Sequence, residues 1–248
     1  VRVPVFPRKK NKIYLTINYL SFLLNSIFFG FFKLQKAKFD IIFTYQLSPV
    51  TVGITSAFFS YLKKCPNVIW VLDLWPDTLV AFNIINKIWQ IKFCKFIVNL
   101  IYGKSDLILA QSKSIMYEII KYPSIKNNVF YLPSWSESDL FKKDITPANE
   151  IEDKDIFTIL FAGNIGEAQD FPSILKTVGT LNSKNINNFR IILVGDGSKK
   201  EWLKKRIKQL RIDQYFELHK SYPLDRMPSF FKHADALLIS LLNREVFN

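Results

Sequence analysis

Sulfur and imidazole ligands are scarce in this 248-residue chain, which has two cysteines and two histidines. Cys65 and Cys94 stand far apart with no CxxC pair, which excludes a disulfide framework and a zinc site of ordinary spacing. His219 and His233 have no ligand-like neighbour in sequence, so no metal is expected. With so few thiols, a reducing, cytoplasmic setting is the default. The full GxGxxG fingerprint is absent, which argues against a nicotinamide dehydrogenase. No RNP, helix-turn-helix or zinc-finger pattern accompanies the basic charge, so nucleic acid is not an expected partner. No small-residue cleavage site follows the longest apolar run, which removes a secretory signal peptide. No repeat of fixed period is visible.

What is present is a core and a charge imbalance. Apolar residues make up 49% of the chain and aromatics 15%, enough for one large or two modest folded domains. The net charge is +13. Residues 1–150 hold 19 Lys/Arg against 9 Asp/Glu, whereas residues 151–248 hold 15 against 12. A basic first half fits an anionic partner such as anionic lipid or a diphosphate. For any single lysine, a solvated surface explains the charge equally well.

Ile13 to Phe32 is a run of 20 residues without a charge, long enough to cross a bilayer as a helix. Arg8, Lys9, Lys10 and Lys12 flank it on one side, and Lys33, Lys36 and Lys38 on the other. Asn18, Asn25, Gly30 and the symmetric charge argue against a span. Three readings stand, in this order: a buried or lipid-grazing helix of a soluble domain, an interfacial anchor, a true span. Ile84 to Tyr102 is a second basic apolar stretch, with Trp89, Phe93 and Phe96 interleaved among Lys87, Lys92 and Lys95. It supports association with an anionic membrane surface, although core packing would also explain its aromatics.

Short apolar runs alternate with helical stretches throughout, the pattern of parallel βαβ units. Strands are expected at 39–45, 67–72, 106–110 and 129–132 in the first half. In the second half they are expected at 157–162, 189–194, 215–218 and 236–240. Ser112 is a plausible N-cap, and Ser198 with Glu201 offers a capping box. The polar stretch from Ser134 to Lys154 reads as the domain connection. The expected domains are therefore residues 1–145 and 146–248. Ligands of such sheets bind beyond the carboxyl ends of the strands.

Three strand ends carry candidate chemistry. Phe161-Ala162-Gly163-Asn164-Ile165-Gly166 runs from a strand into a glycine-bearing turn and a helix. Free N–H groups there would favour a phosphate, although a plain tight turn explains the glycines as well. Ile192-Leu193-Val194-Gly195-Asp196-Gly197-Ser198 repeats the arrangement, placing two backbone nests on one sheet edge. Val71-Leu72-Asp73-Leu74-Trp75-Pro76-Asp77 sets two carboxylates after a buried strand. Asp73 could accept a proton from a hydroxyl or orient a sugar. Asp77 is better read as a helix cap, and Trp75 could stack on a sugar or fill the wall. Two further stretches are weaker. Leu132-Pro133-Ser134-Trp135 with Asp139 and Phe141 reads as a hinge, and the loop Ser221-Tyr222-Pro223-Leu224 could touch a base.

VLDLWPD at 71–77, LFAGNIGEAQDF at 160–171, IILVGDGSKKEWL at 191–203 and YPLDRMPSFFKHADALLIS at 222–240 stand in this order. Together they resemble the retaining family 4 glycosyltransferases, with wording closest to bacterial amino-sugar (fucosamine-type) transferases of surface-polysaccharide (O-antigen or capsule) assembly. The resemblance implies an α/β, GT-B type fold: two Rossmann-like parallel-sheet domains facing a cleft, both incomplete here. It implies that the second half binds a nucleotide-sugar donor, a UDP-sugar, with no further cofactor. Gly163, Asn164 and Gly166 would approach the diphosphate or sugar. Gly195, Asp196 and Gly197 would shape the nucleotide pocket, and Tyr222 and Leu224 would border the base. Asp73 matches the position that touches the donor sugar, with Trp75 beside it. The first half would take a lipid-diphosphate-linked acceptor at the inner face of the cell membrane.

Two departures from the family pattern are plain. Asn164 and Gln169 stand where many relatives carry Arg and Lys, so other groups must neutralise the leaving diphosphate. The family's glutamate pair after Ser240 and its opening strand and glycine loop are not in this sequence, so the chain as given is expected to be a truncated piece with an incomplete catalytic site. A GT-B nucleotide-sugar epimerase and a non-catalytic membrane-peripheral fragment are the alternatives.

Overall fold

A computed structural model describes residues 2–7, 12–136 and 144–244. The described residues form two compact units, one ending at Trp135 and one beginning at Ser136. Ala148 and Ile151 are buried in the second unit, where the Ala148 N–H donates to the Ser229 carbonyl. The polar look of residues 144–154 hid these two anchoring side chains.

The first unit runs α1 (Lys12–Lys33), β1 (Ile42–Gln46), α2 (Val52–Lys63), β2 (Asn67–Val71), α3 (Asp77–Ala81), α4 (Ile88–Gly103), β3 (Leu107–Ala110), α5 (Lys113–Ile119) and β4 (Val129–Tyr131). Its four strands are parallel in the order β1-β2-β3-β4. Every step moves the same way across the sheet, so right-handed crossovers carry α2, α4 and α5 to one face. Gly53 of α2 agrees, because a Cβ there would lie 2.4 Å from Ile101 of α4. β2 is buried along its whole length, as a parallel strand with covered faces should be. Ile69, Val71, Val98, Ile101, Tyr102, Ile108 and Ile119 form the centre of this core. Ser112 caps α5 as expected, accepting from the Ile115 N–H at 3.1 Å.

α1 is not the buried form of the first-ranked expectation, a buried or lipid-grazing helix, since only part of it is covered. It packs on α2 along one side, where a Cβ at Gly30 would meet the Phe59 ring at 2.6 Å and Ser26 bonds Thr55 at 2.8 Å. Lys63 closes its carboxyl end, donating to the carbonyls of Leu34, Gln35 and Ala37. Asn18 and Asn25 donate to the carbonyls of Phe6 and Pro4 in an extended segment lying along the helix. The remaining side leaves Ile13, Leu20, Leu24 and Phe28 exposed. α2, the ring of Trp75 against Tyr19 and the segment 4–6 cover part of the helix, so apolar composition did not translate into burial all round. Among the described residues α1 is the one helix long and apolar enough to cross a membrane by length and composition. Of its flanking charges, Arg8, Lys9 and Lys10 lie outside the described residues, as do Asp139 and Phe141 of the hinge motif.

The second unit runs β5 (Phe157–Ala162), α6 (Phe171–Ser183), β6 (Phe189–Val194), α7 (Lys200–Gln209), β7 (Phe216–His219), α8 (Met227–Phe231) and β8 (Ala236–Leu237). Its strands are parallel in the order β7-β6-β5-β8. One face buries Phe171, Leu175 and Val178 of α6 with Leu203 and Ile207 of α7; Phe230 of α8 joins Ala148 and Ile151 in a separate cluster. β6 is buried throughout although it carries Arg190, which is 4% exposed. The Arg190 guanidinium donates to Thr158 Oγ1 of β5 at 2.9 Å and to the Glu152 carbonyl at 2.8 Å. It also lies 3.5 Å from the Glu217 carboxylate of β7. One side chain thus ties three strands.

The capping box expected at Ser198 and Glu201 does not form. α7 begins after Lys199, whose N–H donates to the Ile165 carbonyl at 3.0 Å, and that tertiary bond sets the helix start. β8 is shorter than the expected 236–240: after the Leu238 N–H donates to Leu160, the chain turns out over the sheet edge. Gly179 lies inside α6, where an added Cβ would meet nothing within 4 Å. Gly179→Ala is therefore expected to stabilise the protein by about 0.5–1 kcal/mol, read as a raised denaturant midpoint at constant slope.

Candidate functional site

The second sheet reverses direction between β5 and β8. From β5 the chain steps outward to β6 and β7, then returns to the other flank of β5 for β8. Loops leaving neighbouring strands in opposite directions open a crevice at the carboxyl edge, which is where ligands of such sheets sit. The first glycine bend, after β5, stands at this place. The segment after β8 lies along it: the Asp170 N–H donates to Ser240 Oγ at 3.2 Å and the Leu242 N–H to the Ala168 carbonyl at 2.7 Å.

The two glycine bends are laced together through backbone. The Gly163 N–H donates to Val194 at 3.0 Å and the Ile165 N–H to Asp196 at 2.8 Å. A Cβ at Gly195 would stand 1.9 Å from the Gly163 carbonyl oxygen, and one at Gly197 would stand 2.3 Å from that of Ile165. Glycine is required here by contact between two backbone segments. The rim made by Gly163, Asn164 and Asp196 is exposed, while Gly166 and Gly195 are buried beneath it.

This corrects the expected source of the phosphate donors. The Gly166 N–H is donated to Gln169 Oε1 at 3.0 Å, and the Gly197 N–H to Asp196 Oδ1 at 2.7 Å. With the amides of Gly163, Ile165 and Lys199 also engaged by carbonyls, the bends are a braced floor more than an open nest of N–H groups. Of these bonds, the two to Asp196 and Gln169 come from side chains, which a ligand oxygen can displace at the cost of one rotamer change.

Two lysines that the sequence reading did not single out complete the edge. Lys200 Nζ donates to the Gly195 carbonyl at 2.7 Å and to the His219 carbonyl at 2.9 Å, tying the second bend to the end of β7. Lys199 Nζ pairs with Glu167 of the first bend at 3.0 Å and lies over the Trp202 ring. A basic pair directly after a strand-glycine-turn signature was the available signal. Beyond β7, the half-buried Tyr222 ring packs on Phe230 at 4.6 Å, with Lys220 and Arg226 beside it. Arg226 forks onto both Glu150 oxygens. The Glu150 carboxyl lies below its ordinary range, first through its own backbone amide and then through Arg226. Leu224 is exposed next to this ring.

In the first unit, Asp73 is half-buried just past the carboxyl end of β2. The fully buried Gln46, which the sequence reading passed over, donates from Nε2 to the carbonyls of Asp73 and Leu47 and fixes the backbone there. Trp75 is a correction. It is 7% exposed and packs on Tyr19, and its indole N–H donates to Ser48 Oγ at 2.9 Å and Asp73 Oδ2 at 3.2 Å. Its ring offers no face to a sugar; it fills the wall and orients Asp73. Asp77 is the first residue of α3 instead of its cap, which is Pro76. Burial, assisted by neighbouring carboxylates, raises the Tyr102 and Tyr122 hydroxyls above the ordinary tyrosine range, so both stay neutral. Among the described residues no group of three His, Cys, Asp or Glu side chains is placed to hold a metal.

The family comparison falls on this sheet reversal and its two interlocked glycine bends. Residues 142–247 match the model of glycosyl transferases group 1. The match covers the switch point, both bends and the Tyr222 loop. WcaI of Escherichia coli (strain K12), named as a colanic acid biosynthesis glycosyl transferase, is 30% identical over 142 residues, 54% of this chain and 33% of WcaI. Three solved structures resemble the chain at 11–13% identity. HepE of Anabaena in complex with UDP has a TM-score of 0.63 over 90% of this chain and 57% of its own. WaaG, a glycosyltransferase involved in lipopolysaccharide biosynthesis, has 0.63 over 98% and 62%. A glycosyltransferase from Rickettsia africae has 0.58 over 93% and 57%. These likenesses show the fold: two parallel sheets of the GT-B glycosyltransferase type. The chain spans about a third of the curated relative and somewhat over half of these structures.

Proposed function

We propose that this chain is part of a retaining glycosyltransferase of cell-surface polysaccharide assembly. It takes a sugar, an N-acetylamino sugar, from a UDP-sugar and passes it to a lipid-diphosphate-linked acceptor. The second unit holds the donor and the first unit the acceptor. One observation carries this reading: both glycine bends meet at the reversal of the second sheet, where the exposed Gly163 and the displaceable Asp196 and Gln169 side chains let a diphosphate approach backbone. The group 1 match over the same residues supports it, as does the UDP that HepE binds. Lys199 and Lys200 supply positive charge at that edge, where the subgroup's Asn164 and Gln169 bring none.

In the donor step the chain's own groups bind and orient. The bends carry the diphosphate, the Gln169 amide yields the Gly166 N–H to a phosphate oxygen, and the Tyr222 loop borders the base. In the first unit, Asp73 is the group assigned to the donor sugar, and Gln46 holds its backbone. The basic first unit works against an anionic membrane surface on the cytoplasmic side. Titration calorimetry of the 248-residue chain with UDP, GDP and ADP tests the donor assignment. UDP should bind at least about tenfold more tightly than the other two, since base contacts at the Tyr222 loop contribute on the order of 1–3 kcal/mol. Equal affinities would overturn the uridine assignment, and no binding of any of the three would overturn the donor site.

A further inference from the structure

The surface of α4 does something that a packed helix of a soluble domain does not require. Val98, Ile101 and Tyr102 bury its inner side in the first unit's core. Trp89, Phe93, Phe96 and Leu100 recur on a different side, within about 60° of arc at helical spacing. They are 65%, 58%, 59% and 49% exposed. Between this stripe and the core lie Lys92 and Lys95. With Lys121 at the end of α5 they border an open cavity of about 410 Å³ that Phe96 also lines. The carboxylates there are Asp77 and Glu118, and Glu118 pairs with Lys121. From Lys87 to Lys104 the helix carries four lysines and no acid.

From this geometry we infer that α4 is the element that seats the protein on an anionic phospholipid surface: Trp89, Phe93, Phe96 and Leu100 enter the acyl boundary, and Lys92, Lys95 and Lys121 meet the headgroup phosphates. The inference rests on the membrane-surface reading above and assigns it to one helix face. Charge selects the occupant. A protein partner would need only the apolar stripe, whereas lysines along one flank and at both ends of an acid-free helix complement a negative sheet of phosphates. The same criterion separates α4 from α1, whose exposed stripe has no lysine between its ends.

Co-sedimentation of the whole chain with vesicles decides the matter, using phosphatidylcholine alone and phosphatidylcholine mixed with phosphatidylglycerol. The parent should bind the mixed vesicles preferentially. Trp89→Ser/Phe93→Ser/Phe96→Ser should lower partitioning about tenfold or more with an unchanged melting temperature, because the three side chains already face solvent. Lys92→Ser/Lys95→Ser should cost about fivefold per lysine on mixed vesicles and little on neutral ones. Leu24→Ser/Phe28→Ser in α1 should leave partitioning near the parent value. Parent-like binding of the triple variant, or loss confined to the α1 variant, would overturn the assignment to α4. If the parent ignores both vesicles, the membrane-surface reading falls with it, and the UDP titration is unaffected.

Discussion

Gly195→Ala is expected to lower the melting temperature of the second unit by about 10 °C and to remove UDP binding altogether. The added methyl would sit 1.9 Å from the Gly163 carbonyl oxygen, a separation at which one backbone segment must move. Neither can yield easily. Gly163 is held by its N–H on Val194, and Gly195 by Lys200 on its own carbonyl. Overpacking against fixed backbone costs about 3 kcal/mol, and about 4 °C accompanies each kcal/mol in a domain near this size. The same displacement parts the two bends, so affinity is lost beyond what stability explains. Gly179→Ala is the matched control, a methyl of equal size in open space. A Gly195→Ala protein that melts with the parent would show that the bends do not touch as described.

Asp73→Asn should leave the protein folded, keep UDP affinity within about twofold, and reduce kcat/KM of the full-length enzyme by about a hundredfold. Asparagine keeps the size of the side chain and an oxygen for the Trp75 indole N–H, and the Gln46 bonds fall on backbone carbonyls that the substitution does not alter. What disappears is the negative charge and its capacity to accept a proton or bind a sugar hydroxyl. Because the nucleotide is assigned to the other unit, binding and turnover should separate cleanly in calorimetry and steady-state kinetics. Turnover equal to the parent would remove Asp73 from the reaction and leave it the role of a buried tryptophan's partner.

Strand positions were legible because covered parallel strands carry short apolar runs: Val68–Val71 and Ile191–Val194 need no context. Strand order was not. Nothing near Ala236 in sequence says that this strand returns to β5 instead of continuing past β7, since pairing between distant segments is a property of the assembled core. Whether α1 would be buried or only graze a surface was left open for a related reason: hydropathy reports what a side chain prefers, and the available neighbours decide which face is covered. The failed capping box at Ser198 shows a tertiary bond, Lys199 to Ile165, overriding a local signal. At the candidate site the glycine positions were visible and their purpose only half so. Spacing located the bends; that the first gives its Gly163 and Ile165 amides to carbonyls of the second is a property of the packed sheet. Lys200 and Gln46 were missed because their bonds go to carbonyls, which no residue pattern marks.

The guanidinium in the middle of β6 has a consequence for how the second unit comes apart. Detaching β7 would leave that cation without its carboxylate in the interior, and pulling away the segment before β5 would strip the Glu152 carbonyl from it. Each partial opening strands a charge, at a penalty on the order of 3–5 kcal/mol for a broken buried pair. Fraying from the rim is therefore no shortcut. Amides of β5, β6 and β7 should exchange with deuterium at one common slow rate, released together when the whole unit opens.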